Sequence, residues 1–300
     1  MRVISLLASG TEIVCALGAG EWLVGRSHEC DNPAWVKGLP SCSEPAFDVS
    51  VSSGEIDREV RRRIRAGEPL YVLDYERMNA LEADLLIAQE HCEVCAVTPG
   101  DVVRSGCVMP AAQVMALSAG SLEGIFEGIR RVAEALGLEA KGRELVTAER
   151  GRLEAVRARC GGKRRPTVVL LEWMDPLFAM GNWAPELVEA ANGELLIGHV
   201  GDYSRAIGWE EVRKADPEML VVAPCGFDLA RALGERGTLE ALPGWGEMRA
   251  VKAGRVAYAD GNLYFNRSGM TVTRTAEILA EMMHGEVFGE RTESVAWQWM

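Results

Sequence analysis

The chain lacks several features that would assign it to a class at once. No apolar run approaches the roughly 20 residues that a membrane-spanning helix needs, so we expect no membrane insertion. The formal net charge is −12, which argues against nucleic acid as a partner, because phosphate backbones are bound by basic faces. The eight cysteines are too sparse in 300 residues for a disulfide scaffold, so we expect free thiols.

Signatures of common enzymes are also missing. The sequence contains no G-x-S-x-G, no P-loop, no H-E-x-x-H and no G-x-G-x-x-G after a predicted strand. We therefore expect a ligand-binding protein, although the absence of these motifs leaves a metalloenzyme open as an alternative.

Only two stretches are densely basic. One is Arg61-Arg62-Arg63 with Arg65, and the other is Lys163-Arg164-Arg165. A solvated helix face explains the first and a solvated loop explains the second, so we interpret neither as an anion site.

A repeated unit is present instead, in which an acidic residue leads into a short apolar strand that ends near cysteine. Residues 85–88 follow Asp84 and lead into Gln89-Glu90-His91-Cys92-Glu93-Val94-Cys95, and residues 219–223 follow a similar lead-in and end before Cys225. Short apolar runs of this kind are typical of buried strands in a parallel sheet. In open α/β sheets the carboxyl ends of the strands hold ligands. The duplication predicts two similar α/β lobes.

The longest helical pattern separates the two repeated units. Apolar residues recur at helical spacing from residue 122 to 136, and a second helical stretch follows from about Ala140 to Cys160. This pattern is too regular for a flexible linker. We predict an N-terminal lobe over residues 1–118, a bridging helical segment over 119–161 and a C-terminal lobe over 162–300.

Three local predictions concern the edges of these elements. Residues 9–12 are expected to form a turn that leads into a helix over residues 13–17. Cys160, at a helix end before two glycines, is expected on the surface. The tail from the closing helix to Met300 is expected to be loose.

Candidate ligand-binding residues follow the predicted strands or lie in aromatic loops of the second half. Aromatic faces suit a flat macrocycle or large heteroaromatic ligand, and amide or guanidinium groups beside them could hold its polar periphery. The predicted set is Ser9, Thr11, Glu12, Gln89, His91, Trp173, Trp183, Tyr203, Phe227, Tyr264, Phe265, Asn266 and Arg267.

Cysteine and histidine also cluster at predicted strand ends, which makes a metal site a candidate. The pair Cys92–Cys95 could be half of a zinc or iron–sulfur site, a redox pair, or two packed residues near a turn. A histidine or thiolate could instead coordinate the metal centre of a bound chelate. The candidate metal ligands are His28, Cys30, Cys92, Cys95 and Cys225.

Several segments together resemble one family, the cobalamin-binding-type substrate-binding proteins of ABC importers. They are ISLLASGTEIVCALG, GRSHECDNP, DLLIAQEHCEVCAV, GNWAPELVEAANG, WEEVRKADPEMLVVAPCGFDL and DGNLYFNRSG, spread over residues 3–283. The resemblance implies two Rossmann-like α/β lobes with central parallel sheets, bridged by a rigid long helix, with a ligand cleft between the lobes. It also implies an ABC importer permease as a partner.

The function implied by this resemblance is the capture of a large metal chelate, with cobalamin or another corrinoid as the first candidate. The alternative is a cytoplasmic metalloprotein, with zinc or an iron–sulfur cluster, or an enzyme that uses the Cys/His cluster. Family members of the importer type carry a leader or a lipoprotein cysteine, and no such segment is recognised here. We expect a cytoplasmic location if the chain is complete and a periplasmic one if a leader has been removed.

Overall fold

A computed structural model describes residues 1–90, 96–104, 112–287 and 292–300 of the chain. These residues form two compact units, one made of Met1–Ala119 with Glu123–Thr147 and the other of Gly120–Leu122 with Ala148–Met300. Within the described ranges, no helix combines the length and the apolar character that crossing a membrane requires. The predicted fold class, α/β with two lobes, is confirmed.

The first unit is built on a four-stranded sheet in the order β2-β1-β5-β6, and every pair in it is parallel. A separate antiparallel pair joins β3 to β4. Along the chain the elements are β1 (Val3–Ser5), α1 (Ala8–Ala16), β2 (Leu23–Arg26), β3 (Ser43–Pro45), α2 (Ser53–Ala66), β4 (Tyr71–Leu73), α3 (Tyr75–Ala80), β5 (Leu85–Gln89), α4 (Pro99–Arg104), β6 (Gln113–Leu117), α5 (Leu122–Ala135) and α6 (Glu139–Cys160). The boundary between the units falls inside α6.

The second unit is built on a seven-stranded sheet whose main order is β10-β8-β7-β11-β12-β13, with β9 also paired to β7. Its elements are β7 (Thr167–Met174), β8 (Leu177–Ala179), α7 (Ala184–Ala190), β9 (Glu194–Leu195), β10 (Arg205–Ala206), α8 (Trp209–Ala215), β11 (Met219–Val222), α9 (Leu229–Gly234), α10 (Gly237–Glu240), α11 (Arg249–Lys252), β12 (Val256–Ala259), α12 (Val272–Met283) and β13 (Trp297–Trp299). Strands β9, β7, β11 and β12 pair in parallel, whereas the pairs β7–β8, β8–β10 and β12–β13 are antiparallel. This sheet is therefore mixed, and only its centre is parallel as predicted.

The start of α1 differs from the sequence prediction. The helix already begins at Ala8, so residues 9–12 form its first turns instead of a separate turn. Gly10 explains the difference, since a Cβ atom there would lie 2.8 Å from Cγ2 of Ile87 on β5. The helix packs so closely on the sheet that tertiary contact outweighs the weak helix propensity of Ser9, Gly10 and Thr11.

The last residues of the chain form a strand, and for residues 292–300 the prediction of a loose tail is wrong. Strand β13 pairs with β12 in antiparallel register, which places Trp299 opposite Ala257 and Trp297 opposite Ala259. The Trp297 side chain is buried, although β13 is the last strand of the sheet. Cys160 is also buried instead of lying on the surface, and its carbonyl accepts a hydrogen bond from Asn192 Nδ2 at 3.2 Å.

Candidate functional site

The first unit brings Thr11 and Cys30 together at the carboxyl edge of its parallel sheet. Strand β1 ends just before α1, which carries Thr11, and Cys30 follows the neighbouring strand β2. The Thr11 hydroxyl donates to Cys30 Sγ at 3.0 Å, and the same sulfur lies 3.6 Å from the carbonyl oxygen of Ser5. Both side chains are fully buried. Cys30 therefore behaves as a packed core thiol within the part of the chain that the structure describes.

His28 follows β2 and is held as a neutral imidazole. Its Nδ1 lies 2.9 Å from the Ser43 hydroxyl, and its ring centroid lies 5.6 Å from that of Tyr71. Burial, and secondarily the positive charge of Arg26, lower the pKa of His28 from 6.5 to about 4. A neutral ring nitrogen at pH 7 is the form that ligates metals.

The other polar residues predicted at this edge are buried. Glu12 accepts a hydrogen bond from Asn32 Nδ2 at 3.0 Å. The Ser9 hydroxyl has no hydrogen-bond partner among the described residues. Gln89, the last residue of β5, donates its backbone amide to the Val97 carbonyl at 2.9 Å. These residues lie where the sequence placed them, at the ends of β1 and β5.

Three of the predicted site residues lie outside the described residues. They are the candidate metal ligands Cys92 and Cys95 and the candidate ligand-binding residue His91. Among the residues that are described, no group of three or more His, Cys, Asp or Glu side chains is arranged to hold a metal ion. The zinc or iron–sulfur site stays a prediction.

In the second unit, the ends of β7 and β11 place aromatic side chains against each other. Trp173, near the end of β7, meets Phe227 edge to face with ring centroids 5.2 Å apart and an interplanar angle of 61°. Trp173 Nε1 donates to the Asp175 carbonyl at 3.2 Å. Phe227 is buried, whereas Trp173 keeps part of its surface exposed. Trp173 is therefore the member of the pair that a ligand could contact.

A π-helical turn, Gly261–Phe265, follows β12 and is tied to the loop after β11. The backbone amide of Asn262 donates to the Phe227 carbonyl at 3.0 Å, and Asn266 Nδ2 donates to the Ala223 and Gly261 carbonyls at 2.9 Å each. A Cβ atom on Gly261 would lie 2.1 Å from the Pro224 carbonyl oxygen. Single π-helical turns are frequent at functional sites, and this turn brings two strand ends into contact.

The charged groups of this turn are largely withdrawn from solvent. Arg267 is buried and donates through Nε to the Asn262 carbonyl at 2.6 Å and through its terminal nitrogen to Asn262 Oδ1 at 3.2 Å. Burial raises the pKa of Asp260, and the Asp228 carboxylate raises it further, while the Leu263 amide and Arg267 oppose the shift. The buried Arg267 guanidinium thus stabilises the conformation of the turn, and little of it is accessible to a ligand.

The remaining predicted residues differ in exposure. Tyr203 is largely exposed, and Tyr264 is partly exposed, whereas Trp183 and Phe265 are buried in the core. Little of the Trp183 or Phe265 ring is accessible on the surface, and their role as ligand-binding residues stays a prediction. Cys225 is partly exposed, and its amide donates to the Glu172 carbonyl at 3.0 Å.

Comparison with known proteins identifies the family. A family model for periplasmic binding proteins matches residues 3–263. The chain belongs to the periplasmic binding protein family. The solute-binding class predicted from the sequence is confirmed at this level.

Individual relatives of this periplasmic binding protein span nearly its whole length. The chain is 25% identical over 303 residues to the uncharacterized ABC transporter substrate-binding lipoprotein YvrC of Bacillus subtilis (strain 168), covering 96% of this chain and 82% of that protein. A periplasmic heme binding protein from Pseudomonas aeruginosa has a TM-score of 0.72 at 21% identity, covering 99% of this chain and 97% of the other. The periplasmic vitamin B12 binding protein BtuF of Vibrio cholerae has a TM-score of 0.66 at 16% identity, covering 94% and 96%. At these identities the two solved structures show the shared fold alone.

Sequence reasoning missed two residues of this periplasmic binding protein's second unit. Arg231 on α9 places its guanidinium over the Phe227 ring, and Glu172 on β7 accepts a hydrogen bond from the Ser204 hydroxyl at 2.7 Å. Arg231 lies only four residues after Phe227, but Phe227 precedes α9, so helical spacing does not mark the pair. Glu172 could have been found, since an acidic residue near the end of an otherwise apolar strand is unusual.

Proposed function

We propose that this periplasmic binding protein captures a large metal chelate, specifically a corrinoid, and delivers it to an ABC importer permease. The protein then works outside the cytoplasmic membrane, as the lipoprotein name of the Bacillus subtilis relative supports. The family match supports the binding role, and the vitamin B12 and heme binding proteins of the same fold support a chelate as the ligand.

The observation that carries the proposal is the contact between Trp173 and Phe227 at the carboxyl edge of the second sheet. An exposed indole that is fixed by an aromatic neighbour and by a hydrogen bond from its own Nε1 offers a rigid apolar face. Such a face gains binding energy by burying area, and it loses little conformational entropy when the ligand arrives.

Polar groups lie beside this aromatic face. Asn262 and the partly exposed Cys225 belong to the two segments that the π-helical turn joins. A corrinoid carries amide side chains around its ring, and such groups need hydrogen-bond partners at the rim of an apolar site. Heme carries carboxylates instead, so the two chelates place different demands on the same rim.

Titration of the purified protein with cyanocobalamin and, separately, with hemin tests the proposal. We expect saturable quenching of tryptophan fluorescence by cyanocobalamin at micromolar concentration, and weaker or no saturable quenching by hemin. Saturable quenching by hemin alone would support the binding role but identify heme instead of a corrinoid as the ligand. No saturable quenching by either compound would exclude a macrocyclic chelate as the ligand.

A matched pair of variants links that binding to the proposed face. Trp173→Ala removes the exposed indole and should weaken chelate binding by about tenfold or more. Trp299→Ala is the control, because Trp299 also meets an aromatic edge to face, with Trp297 at 4.9 Å and 82°, but pairs near the opposite end of β12. Equal weakening in both variants would argue that the loss is structural.

The metalloprotein hypothesis remains a separate prediction, since it depends on Cys92 and Cys95. An elemental scan of protein purified without added metal tests it. Zinc or iron at about one equivalent, lost in Cys92→Ser/Cys95→Ser, would favour that hypothesis. Cobalt with corrinoid absorption bands would favour capture of the chelate.

A further inference from the structure

A cavity of about 570 Å³ lies in the second unit at the amino-terminal edge of its sheet. Arg164 and Pro166 precede β7, Glu218 precedes β11 and Arg255 precedes β12. Because these strands are parallel, their first residues share one edge of the sheet. This edge is opposite to the carboxyl edge that carries Trp173 and Phe227.

The lining of this cavity is strongly cationic. It contains the five basic residues Lys163, Arg164, Arg249, Lys252 and Arg255 against the two carboxylates of Glu218 and Glu286. The whole chain has a net charge of −12, so an excess of basic over acidic residues at this cavity is opposite in sign to the chain as a whole. Lys163 and Arg164 belong to the basic run that was expected to be a solvated loop, and here they line a concave surface.

The carboxylates neutralise only part of this charge. Glu218 pairs with Arg164 and lies 3.9 Å from Arg249, and Glu286 pairs with Lys163 at 3.7 Å. Asp216, outside the lining, adds a contact to Arg249 at 3.3 Å. Both Glu218 and Glu286 have pKa values below their usual range, so they are already ionised at neutral pH.

Two of the cations form no ion pair with a carboxylate in the described part of the chain. Arg255 donates to the Met282 carbonyl at 3.0 Å; burial and the positive charge of Arg164 lower its pKa, while the charges of Glu218 and Glu286 oppose that shift. Lys252, on the short helix α11, makes no hydrogen bond or ion pair through its ammonium there. An anion in the cavity would be attracted to both groups and would relieve the repulsion between the guanidinium groups.

We propose that this cavity binds a phosphate-bearing anion. The planar guanidinium of an arginine matches phosphate oxygens, and a lysine ammonium adds a compact positive charge. The volume falls in the range of small-molecule sites, so it accommodates more than one phosphate group. The same chemistry is presented by a free polyphosphate and by the phosphate of a lipid headgroup.

Isothermal titration of the full chain with inorganic pyrophosphate, at constant ionic strength, measures binding of the free anion. Sedimentation with phosphatidylglycerol vesicles, against phosphatidylcholine vesicles, measures binding of the lipid phosphate. Saturable binding in either experiment supports the site and shows whether its phosphate group belongs to a free anion or to a lipid. No saturable heat with pyrophosphate, together with no preference for phosphatidylglycerol, overturns the proposal.

The variant Lys163→Gln/Lys252→Gln removes two cations from the rim and leaves the partly buried Arg255 in place. We expect its dissociation constant to rise by about tenfold or more, since hydrogen bonds to charged groups are strong. The control Lys37→Gln/Lys141→Gln makes the same charge change at exposed residues of the first unit, and should stay within about twofold because such charges are screened. Equal loss in the control would show non-specific attraction and overturn the site.

Discussion

The guanidinium carbon of Arg231 lies 3.6 Å from the centroid of the Phe227 ring, within the range of a cation–π contact. The Trp173 indole meets the same Phe227 ring edge to face. Phe227 is therefore held between a cation and an indole, and its ring supports the partly exposed Trp173. Three different elements, β7, the loop after β11 and α9, meet in this arrangement.

The substitution Arg231→Gln tests whether this orientation matters for binding. Loss of the cation should loosen Phe227 and weaken binding of the chelate by about threefold to tenfold, in line with the usual strength of cation–π contacts. The measurement is the same fluorescence titration as for the wild type. Arg236→Gln, which removes an exposed guanidinium paired with Glu240 at 3.5 Å, should leave the affinity unchanged. An unchanged affinity in Arg231→Gln would contradict the role assigned to the contact.

The substitution Gly261→Ala tests the contact between the π-helical turn and the loop after β11. The added Cβ atom would lie 2.1 Å from the Pro224 carbonyl oxygen and 2.6 Å from the Ala223 carbonyl carbon, and backbone atoms cannot move aside cheaply. We expect a loss of about 1–3 kcal/mol in the free energy of unfolding, measured by urea denaturation, as for other overpacked sites. In the control Gly246→Ala the Cβ atom meets open space, so little change is expected. Equal stability of the two variants would show that the loops can separate freely.

The central strands could be predicted because their sequence signal is local. Strands β5 and β11 are buried along their whole length, and an apolar run between polar residues is enough to recognise such a strand. The same signal places Gln89 at the end of a strand, and Thr11 and Cys225 in the segments that follow strands. The duplication of the pattern then indicated two lobes without any contact information.

The remaining features depend on contacts between distant segments, which no local pattern records. The end of the chain forms β13 only because the outer edge of β12 is open to it, some forty residues away in the sequence. Cys160 is buried by neighbours that the helical period does not specify. The contact of Arg231 with Phe227 is different, because the two residues are only four positions apart. Phe227 precedes the helix that carries Arg231, so helical spacing does not mark the pair.

The pKa of His28 predicts a pH dependence of stability. Burial lowers this pKa from its ordinary value of 6.5 to about 4 in the folded protein. Between these values the unfolded chain binds more protons, so the free energy of unfolding falls as the pH is lowered from 6.5 to 4 and levels off below. The full shift corresponds to at most about 3 kcal/mol.

Comparing wild type with His28→Gln isolates this contribution, since carboxylate titration is common to both proteins. Urea denaturation at a series of pH values should show a shallower acid loss in the variant between pH 6.5 and 4. The variant His199→Gln is the control, because His199 is exposed. Parallel pH profiles for wild type and His28→Gln would mean that the imidazole is protonated equally easily in both states.

The burial of Trp297 predicts that the last strand contributes substantially to stability. Its side chain is 1% exposed, and it contacts Trp299 edge to face. Trp297→Ala should lower the free energy of unfolding by about 3–5 kcal/mol, because a large cavity would open beside β12. Trp299→Ala removes the same ring contact from a partly exposed position, so the loss should be smaller. Urea denaturation measures both, and chelate titration under native conditions should be unaffected by either variant. If the two losses were equal, the ring contact and not the burial of Trp297 would hold β13 on the sheet.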